Sequence, residues 1–346
     1  MKKRLVIIVL AGYFIFPALG QHPPQDKNWE VVFQDDFSSF THGQRWYVSN
    51  GIRTENEPQH YLPDNVNIVN GELVLTAKKE NYHCTRPNCN CGGGTYNYTS
   101  GKIVSYNNSK LYHYGYYEMY AKLPVGLGLF PAFWLWSEEY SGPDCVWYNE
   151  IDIMEAGGCN STITTTNYRE FCKSLEHPNK VAVPHPCNYA NSFHWYGVEW
   201  DQDKITWYID RKVVRQVRHT GMQHRMQIII NLALFPSWSD CQADGSPLFV
   251  HMYIDTVNAY QLKYDCKKVV NEIDFATWTD DDYRVKKSIT MSSVTSVTIP
   301  PGSNIYLRAT DFIELNNGFE VPSGTELYLD INPCDITARV QKKLEE

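Results

Sequence analysis

Charged residues are scarce in this chain, and neither sign of charge dominates strongly. Asp, Glu, Lys and Arg together make up 20% of the 346 residues, and the formal net charge is −8. Nucleic acids and strongly anionic polysaccharides are attracted to basic surfaces, which a mildly acidic composition does not favour. We therefore expect neither as a ligand.

Long apolar runs are absent after the N-terminus, so we expect no membrane-spanning helix in the remaining chain. At the N-terminus, three basic residues precede an apolar run over residues 5–16, and Ala18 and Gly20 suit a signal-peptidase site. These features predict a signal peptide over residues 1–20, cleaved before Gln21. No Cys follows the cleavage point to carry a lipid anchor, which predicts a secreted or periplasmic protein.

Aromatic residues, by contrast, are plentiful, with 24 Tyr and 10 Trp. Both types favour β-strands, and both combine a flat apolar face with a polar edge, which suits the recognition of sugar rings. Short alternating stretches recur between turn residues, for example around the Asn70-Gly71 dipeptide, the strongest short signal for a β-hairpin. The expected fold class is all-β.

Cysteines are also frequent. The ten are Cys84, Cys89, Cys91, Cys145, Cys159, Cys172, Cys187, Cys241, Cys266 and Cys334. An even number in an exported chain predicts disulfides, although their pairing cannot be read from sequence. An alternative is a metal site formed by His83 with the first three cysteines, whose spacing fits no standard zinc pattern.

Residues 149–158 contain three carboxylates close together: Glu150, Asp152 and Glu155. Acidic and β-branched apolar residues alternate at the start of this stretch, which is the period of a β-strand. On a strand, Glu150 and Asp152 face one side and the intervening isoleucines face the core. Carboxylates so close push their pKa values apart, and glycoside hydrolysis requires one protonated and one ionised carboxyl group.

Strand parity, however, places Glu155 on the opposite face from Glu150, five residues earlier. A β-bulge at Ile153-Met154 would insert one residue and restore the phase. The span between the two glutamates is still about 13 Å along a straight strand. Retaining glycosidases hold their two carboxyl groups only about 5–5.5 Å apart. We therefore predict a curved sheet with the acids on its concave face.

The run Glu-Ile-Asp-Ile-Met-Glu at residues 150–155 resembles the signature of glycoside hydrolase family 16, in the bulged form of laminarinases, agarases and carrageenases. Flanking stretches over about residues 29–262 are similar as well, which disfavours a merely solubilising acidic strand edge. The resemblance implies a β-sandwich (jelly roll) of two antiparallel sheets with a concave substrate cleft. It also implies Glu150 as nucleophile, Glu155 as general acid/base and Asp152 as the assisting carboxylate, with no cofactor required for catalysis.

The same resemblance assigns residues to the substrate cleft. These are Asn56, Glu57, Lys102, Trp134 and Trp238. Trp134 is expected to be a stacking platform for a pyranose ring, although a core position would equally explain a Trp in this strand. The polar residues near position 57 also fit an ordinary loop.

Three departures from the family pattern put the exact substrate in doubt. Family members often carry Arg at Lys102, laminarinases usually have Trp at Phe130, and many have a His in the strand that here contains residues 164–169. A long loop rich in Cys and Pro follows that strand, and we expect it to form one wall of the cleft. His194 is expected to be structural, because two carboxylates already account for the proton transfers.

A structural calcium site is a further implication of the resemblance. Asp36 and Asp255 match positions that hold this ion in many relatives, together with the carbonyl near Gly71. Hard oxygen ligands suit calcium.

The C-terminal segment has a different composition and an internal repeat. The pattern Pro-x-Gly-Ser/Thr-x-Ile/Leu-Tyr-Leu begins at Pro300 and again at Pro322, an offset of 22 residues. We predict a small module of stacked β-hairpins over residues 269–346, following a catalytic domain over residues 21–268. Its expected roles include glycan binding, docking on the catalytic domain and spacing.

The function expected from the sequence is endo-hydrolysis of a β-1,3- or mixed β-1,3/1,4-glucan with retention of configuration. An endo-β-galactosidase acting on a β-galactan or a host glycan is one alternative. A non-hydrolytic glycan-binding protein and a transglycosylase are others. The expected partner is a polysaccharide or oligosaccharide, and the expected state is a monomer.

Overall fold

The structure is a computed structural model that describes most of the chain. It covers residues 23–24, 29–40, 43–52, 57–84, 94–105, 114–137, 140–141, 146–147, 149–170, 179–201, 204–219, 222, 225–235, 241, 248–262, 269–271, 286–291, 304–315, 319–321, 323 and 326–331. The predicted signal peptide and the predicted domain junction at residue 268 lie outside this set. Within the described residues, no helix is long and apolar enough to cross a bilayer.

Nearly all regular structure is β-strand. The first strands are β1 (Trp29–Asp35), β2 (Trp46–Val48), β3 (Gln59–Tyr61), β4 (Val66–Val69), β5 (Glu72–Cys84), β6 (Gly94–Ser100), β7 (Lys102–Ser105) and β8 (Gly115–Lys122). The middle strands are β9 (Leu129–Ser137), β10 (Tyr140–Ser141), β11 (Val146–Trp147), β12 (Asn149–Ala156), β13 (Ile163–Glu170), β14 (Val181–Pro184), β15 (His194–Trp200) and β16 (Lys204–Ile209). The last are β17 (Lys212–Arg218), β18 (Met226–Leu234), β19 (Phe249–Leu262), β20 (Val269–Asn271), β21 (Lys286–Met291), β22 (Asn304–Leu315) and β23 (Glu326–Ile331). A single 3₁₀ turn, Pro63–Asn65, precedes β4.

Two large sheets account for most of these strands. One has ten strands in the order β17-β16-β15-β8-β19-β5-β6-β3, with β1 and β4 paired to β19 and β5. The other has seven strands in the order β14-β13-β12-β9-β18-β7-β2. All pairs in both sheets are antiparallel except β3 with β6 at one edge. The predicted all-β sandwich is therefore confirmed.

The core lies between the two sheets and is built from the inward residues of both. On β12, Ile151, Ile153 and Met154 belong to it, and from the ten-stranded sheet Trp207 and Val198 do as well. Each fully buried large apolar side chain contributes about 1.5–3 kcal/mol relative to exposure. Burial of the isoleucines thus directs the intervening acids to the other face of the sheet.

The predicted Asn-Gly hairpin is present. Asn70 and Gly71 both have positive φ, 55° and 83°, as a two-residue turn joining right-twisted strands requires. The turn connects β4 to β5, which pair with Val69 opposite Glu72.

The C-terminal strands form a separate four-stranded sheet, β20-β21-β22-β23, and its pairs are parallel. The prediction of stacked hairpins was therefore wrong. Asn304 pairs with Glu326, so the register between β22 and β23 equals the 22-residue offset of the sequence repeat. Each repeat stacks on the next in the same direction instead of folding back, as successive coils of a solenoid do.

The described cysteines confirm the disulfide interpretation in part. Cys159 is bonded to Cys241, and Cys84 is also disulfide-bonded, which contradicts its assignment as a metal ligand. Cys187 is a free thiol. The expectation that all the cysteines pair is therefore wrong at this position.

Candidate active site

The three acids of the motif lie on β12 in the middle of the seven-stranded sheet. The neighbouring strands place Trp136 and Arg169 beside Glu150, Trp134 and Asn167 beside Asp152, and Ala132 and Thr165 beside Glu155. Glu150 and Asp152 are only 5% and 3% exposed. The acids and their neighbours share the face of the sheet that is turned away from the core.

The predicted bulge is present, and it brings Glu155 to this face. The register of β12 shifts between Asp152 and Met154 against β9, and between Asp152 and Glu155 against β13. Thr166 alone stands opposite Ile153 and Met154. Because of this extra residue, Glu155 regains the phase of Glu150 even though five residues separate them.

A tryptophan from the opposite sheet holds the bulge from the core side. Trp207 of β16 is fully buried, and its Nε1–H donates to the carbonyl oxygen of Asp152 at 3.0 Å. A bulge interrupts the regular ladder of hydrogen bonds at this point. The indole N–H satisfies a backbone acceptor there, and leaving that acceptor unpaired would cost about 1–3 kcal/mol.

Two glycines fix the end of the same strand. Gly126 N–H donates to the Gly158 carbonyl at 3.0 Å. A Cβ on Gly158 would lie 2.2 Å from the Gly126 carbonyl oxygen, so no other residue permits this approach. The motif is therefore anchored just beyond Glu155 as well as at the bulge.

Polar residues of β13 contact each acid in turn. Arg169 Nε lies 3.8 Å from Glu150 Oε1, and Asn167 Nδ2 donates to Asp152 Oδ2 at 3.0 Å. The Thr165 hydroxyl donates to Glu155 Oε2 at 3.1 Å. These contacts fix the carboxylates in place, which favours a site that is organised before substrate binds.

Electrostatics distinguish the central acid from its neighbours. Burial, and then the charges of Glu150 and Glu155, raise the pKa of the Asp152 carboxyl well above its ordinary value. The Asn167 hydrogen bond and the charge of Arg169 oppose this shift without cancelling it. The raised pKa favours a protonated Asp152, and a neutral Asp152 adds no repulsion to the negative charge of either glutamate.

Lys180 is the second partner of Glu155. Its Nζ lies 2.9 Å from Glu155 Oε2 and 5.4 Å from the centre of the Phe130 ring. Phe130 in turn stacks on Phe235 at 4.3 Å. The segment after β13, predicted to form a wall of the cleft, thus supplies a cation to the site.

The predicted platform Trp134 lies beside Asp152 but is only 4% exposed. Its Nε1–H donates to Asn231 Oδ1 at 2.8 Å, and Trp136 packs edge-on against it at 5.8 Å. Lys102 Nζ lies 5.9 Å from the centre of the Trp134 ring. Trp136, which is more exposed and stands beside Glu150, is the more accessible indole on this face.

The remaining predicted cleft residues are only partly described. Glu57 accepts a hydrogen bond from Gln59 Nε2 at 3.0 Å, and Gln59 Nε2 also contacts the Tyr61 hydroxyl at 3.1 Å. Lys102 Nζ lies 5.6 Å from the Tyr61 ring centre, so Glu57 and Lys102 belong to one connected group. Asn56 and Trp238 lie outside the described residues.

Sheet register places the predicted calcium ligands along one stretch of β19. The pairing of β5 with β19 begins where Leu73 pairs with Ile254, and that of β1 ends where Asp35 pairs with Val257. Asp255 lies between these two pairs, Gly71 precedes β5 and Asp36 follows β1. Asp36 Oδ1 accepts hydrogen bonds from the backbone and hydroxyl of Ser38. The oxygen donor set fits a hard cation.

Sequence reasoning missed Thr165, Asn167, Arg169 and Lys180. The first three alternate at the period of a strand, as Glu150 and Asp152 do, and that signal could have found them. No sequence pattern around Lys180 predicts its role. A long segment separates it from Glu155 in sequence, so only the fold reveals their contact.

Family comparison agrees with this geometry. Residues 54–245, more than half of the chain, match the model of glycosyl hydrolases family 16. The chain belongs to this family. Within family 16 it is 33% identical over 231 residues to the endo-1,3-1,4-beta-glycanase ExsH of Rhizobium meliloti (strain 1021), covering 64% of this chain and 44% of ExsH. It is 25% identical to a beta-glucanase of Rhodothermus marinus, covering 68% and 86% of the two chains. The chain thus spans less than half of the first relative.

Solved structures give the same assignment. The laminarinase catalytic domain of Thermotoga maritima MSB8 superposes with a TM-score of 0.56 at 25% identity, covering 68% of this chain and 99% of that domain. The laminarinase of Flavobacterium sp. UMI-01 superposes with a TM-score of 0.56 at 27% identity, covering 67% and 100%. About a third of this chain therefore lies outside the shared fold.

Proposed function

We propose that this family 16 protein is a secreted endo-glycanase that hydrolyses β-1,3- or mixed β-1,3/1,4-glucan with retention of configuration. The observation that carries the proposal is the bulged β12 strand, which sets three individually contacted carboxylates on one face, two of them buried. The names of the relatives support the substrate class, since they include an endo-1,3-1,4-beta-glycanase and laminarinases.

In the first step, a carboxylate oxygen of Glu150 attacks the anomeric carbon and the glycosidic C–O bond breaks. Glu155 gives its proton to the departing oxygen, and a covalent glycosyl ester remains on Glu150. Asp152 lies between the two on the strand, and its raised pKa favours the neutral form, which adds no repulsion to the attacking carboxylate. Arg169 stays beside Glu150 as its counter-charge.

In the second step, Glu155 takes a proton from water as that water attacks the anomeric carbon. The ester bond breaks and Glu150 is released as a carboxylate. Lys180 and Thr165 contact Glu155, and both contacts would stabilise the carboxylate that this step requires.

The nucleophile assignment has a direct test. Glu150→Ala should lower hydrolysis about 10³-fold or more, and added azide should restore turnover through a glycosyl azide of inverted configuration. Circular dichroism checks that the variant is folded. Substantial hydrolysis by the variant without azide would contradict the assignment.

A galactan or host glycan is the second candidate substrate. The observation that favours it is the departure from the laminarinase pattern at Phe130 and Lys102, together with Thr165 and Asn167 on β13. These side chains line the face around the acids, where they change the shape and the hydrogen-bond donors that a sugar meets. Incubation with laminarin, barley β-glucan, β-galactans and mucin-type glycans, with products separated by size, distinguishes the candidates.

A further inference from the structure

A cluster of two histidines and a cysteine lies in the connection between β14 and β15, apart from the three acids. His185, Cys187 and His194 place one potential ligand atom each within 4.8 Å of one another. Cys187 Sγ lies 3.4 Å from His194 Nε2, and the two imidazole rings meet edge to face at 4.5 Å. Both histidines are buried and the cysteine is exposed, so the cluster opens to solvent on the sulfur side.

Hydrogen bonds favour the same tautomer in both histidines. His194 Nδ1 lies 2.9 Å from Asp210 Oδ2, and His185 Nδ1 lies 2.9 Å from the carbonyl oxygen of Cys187. A carbonyl or carboxylate oxygen can only accept, which favours a proton on each Nδ1 and a lone pair on each Nε2. The Cys187 backbone N–H contacts the same His185 Nδ1 at the longer distance of 3.4 Å, and the Tyr196 hydroxyl lies 3.4 Å from His185 Nε2. Metal-binding histidines in proteins are oriented by such partners on the second nitrogen.

We propose that His185 Nε2, His194 Nε2 and the Cys187 thiolate bind a Zn²⁺ ion. Zinc takes imidazole nitrogen and thiolate sulfur in a tetrahedron, which sets an S···N separation of about 3.5 Å. The separation of 3.4 Å between Cys187 Sγ and His194 Nε2 matches this value. Ser192 Oγ, 3.0 Å from His194 Nε2, marks the fourth position for a hydroxyl or a water.

The proposed ion ties a loop to the end of the catalytic strand. Tyr189, inside this loop, is fully buried and donates its hydroxyl to the Gly157 carbonyl at 3.2 Å. Gly157 lies two residues after Glu155. The ion would close the loop from residue 185 to residue 194 and keep Tyr189 against the strand, which is a structural role and leaves the proton transfers to the acids.

A reactive thiol is the competing interpretation. Cys187, His194 and Asp210 are arranged in the order of a nucleophile, a base and an orienting carboxylate. That arrangement needs one histidine only. The second histidine, His185, also places a ligand nitrogen within 4.8 Å of the other two ligand atoms, and this third donor favours a metal.

The test uses the full mature chain without a histidine tag, dialysed against a chelator. Co²⁺, which substitutes for zinc, should give a sulfur-to-cobalt charge-transfer band and intense tetrahedral d–d bands at one equivalent. Zn²⁺ at about a hundredfold excess over Kd should raise Tm by about 5–10 °C. It should also slow the alkylation of Cys187 by iodoacetamide, as mapped by mass spectrometry.

Cys187→Ser should lose the charge-transfer band and most of the Tm rise, and His194→Gln should do the same. His83→Gln, at an exposed histidine outside the cluster, should behave as wild type. Cobalt without a sulfur band, unchanged alkylation with zinc, or Cys187 recovered in a disulfide would each overturn the proposal. Rapid alkylation that zinc leaves unchanged would establish the reactive thiol instead.

Discussion

At the scale of single residues, the site depends on how three neighbouring carboxyl groups share their charge. Asp152 is the most buried of them and lies between the other two, so it is the least costly to keep protonated. The hydrogen bond from Asn167 and the partial charge balance from Arg169 hold its orientation. Because this carboxyl is buried, its ionisation destabilises the folded protein as the pH rises.

The first prediction concerns Asp152→Asn. The folded protein binds the Asp152 proton more tightly than the unfolded chain, so stability falls as pH rises above the ordinary carboxyl range and towards the raised pKa. The Asn variant lacks this loss. Its Tm should exceed that of wild type at about pH 7. The difference should vanish near about pH 3, below the ordinary Asp pKa of about 3.9, where the wild-type carboxyl is largely protonated in both the folded and the unfolded chain. We expect its kcat to fall at least about tenfold.

Scanning calorimetry across that pH range measures the effect. Asp311→Asn, at an exposed position in the C-terminal sheet, controls for the loss of one negative charge. A Tm difference that is constant with pH would contradict the linkage to Asp152 ionisation.

At the scale of secondary-structure elements, the bulge in β12 is the feature that makes the site. Without the extra residue, Glu155 would face the core, where an unpaired carboxylate is highly unfavourable. Trp207 contacts the bulge from the other sheet, so the two sheets of the sandwich cooperate to fix the spacing of the acids. Arg215, whose guanidinium lies 4.5 Å from the Trp207 ring centre, covers that ring and donates to the Thr166 carbonyl opposite the bulge.

The second prediction tests this contact with Trp207→Phe. The change keeps an aromatic ring but removes the N–H donor to the Asp152 carbonyl. We expect a stability loss of about 1–3 kcal/mol, from the unpaired acceptor and the smaller ring. We also expect kcat to fall about tenfold or more with little change in KM, because the acids lose their spacing.

Trp200→Phe is the matched control. Trp200 is also fully buried, and its Nε1–H donates to the Met222 carbonyl at 3.0 Å, away from the motif. It should lose similar stability but keep kcat. If both variants lose kcat equally, the effect is a general loss of rigidity and the positioning role of Trp207 is wrong.

Much of this element could be predicted from its own residues. The alternation of acidic and apolar residues predicted which face Glu150 and Asp152 occupy. The odd number of residues from Glu150 to Glu155 required the bulge. Lys180 could not be found in this way, because its contact depends on how a long segment returns to the strand. Trp207 lies in a stretch with the pattern of a strand. Its neighbours in sequence do not indicate that its N–H donates to a carbonyl oxygen of the other sheet.

The C-terminal repeat shows the opposite case, because its sequence pattern is clear but the topology predicted from it was wrong. Alternating residues and an Asn-Asn-Gly sequence between the repeats are typical of hairpins. A repeat of 22 residues leaves enough chain after each strand to return to the starting side, so parallel stacking is also accessible. In-register stacking places Ile305 beside Leu327 and Leu307 beside Leu329, and burial of Leu307 follows from that alignment.

At the scale of the whole molecule, the apolar packing of the C-terminal sheet is separate from that of the sandwich. The large core contains residues of both sandwich sheets, and a smaller cluster around Trp134 belongs to the seven-stranded sheet. The C-terminal sheet has its own small cluster, formed by Ile289, Met291, Leu307 and Ala309. The family match ends at residue 245 and includes none of the four parallel strands. Among the residues that the structure describes, those in contact with the three acids all come from the sandwich.

The last prediction follows from this separation. A protein truncated after Lys268 should keep the kcat and KM of the full chain, within about twofold, on short soluble oligosaccharides, because every described contact of Glu150, Asp152 and Glu155 comes from the sandwich. Cys266 is replaced by Ser in both proteins, since removal of Cys334 would otherwise leave a possible partner unpaired. Circular dichroism and Tm establish that the truncated chain is folded, and binding to insoluble glucan is measured alongside turnover. A loss of polymer binding alone would assign the parallel sheet a role in holding the substrate. A folded truncated protein that loses activity on short substrates would contradict the boundary, because the C-terminal strands would then contribute to the cleft.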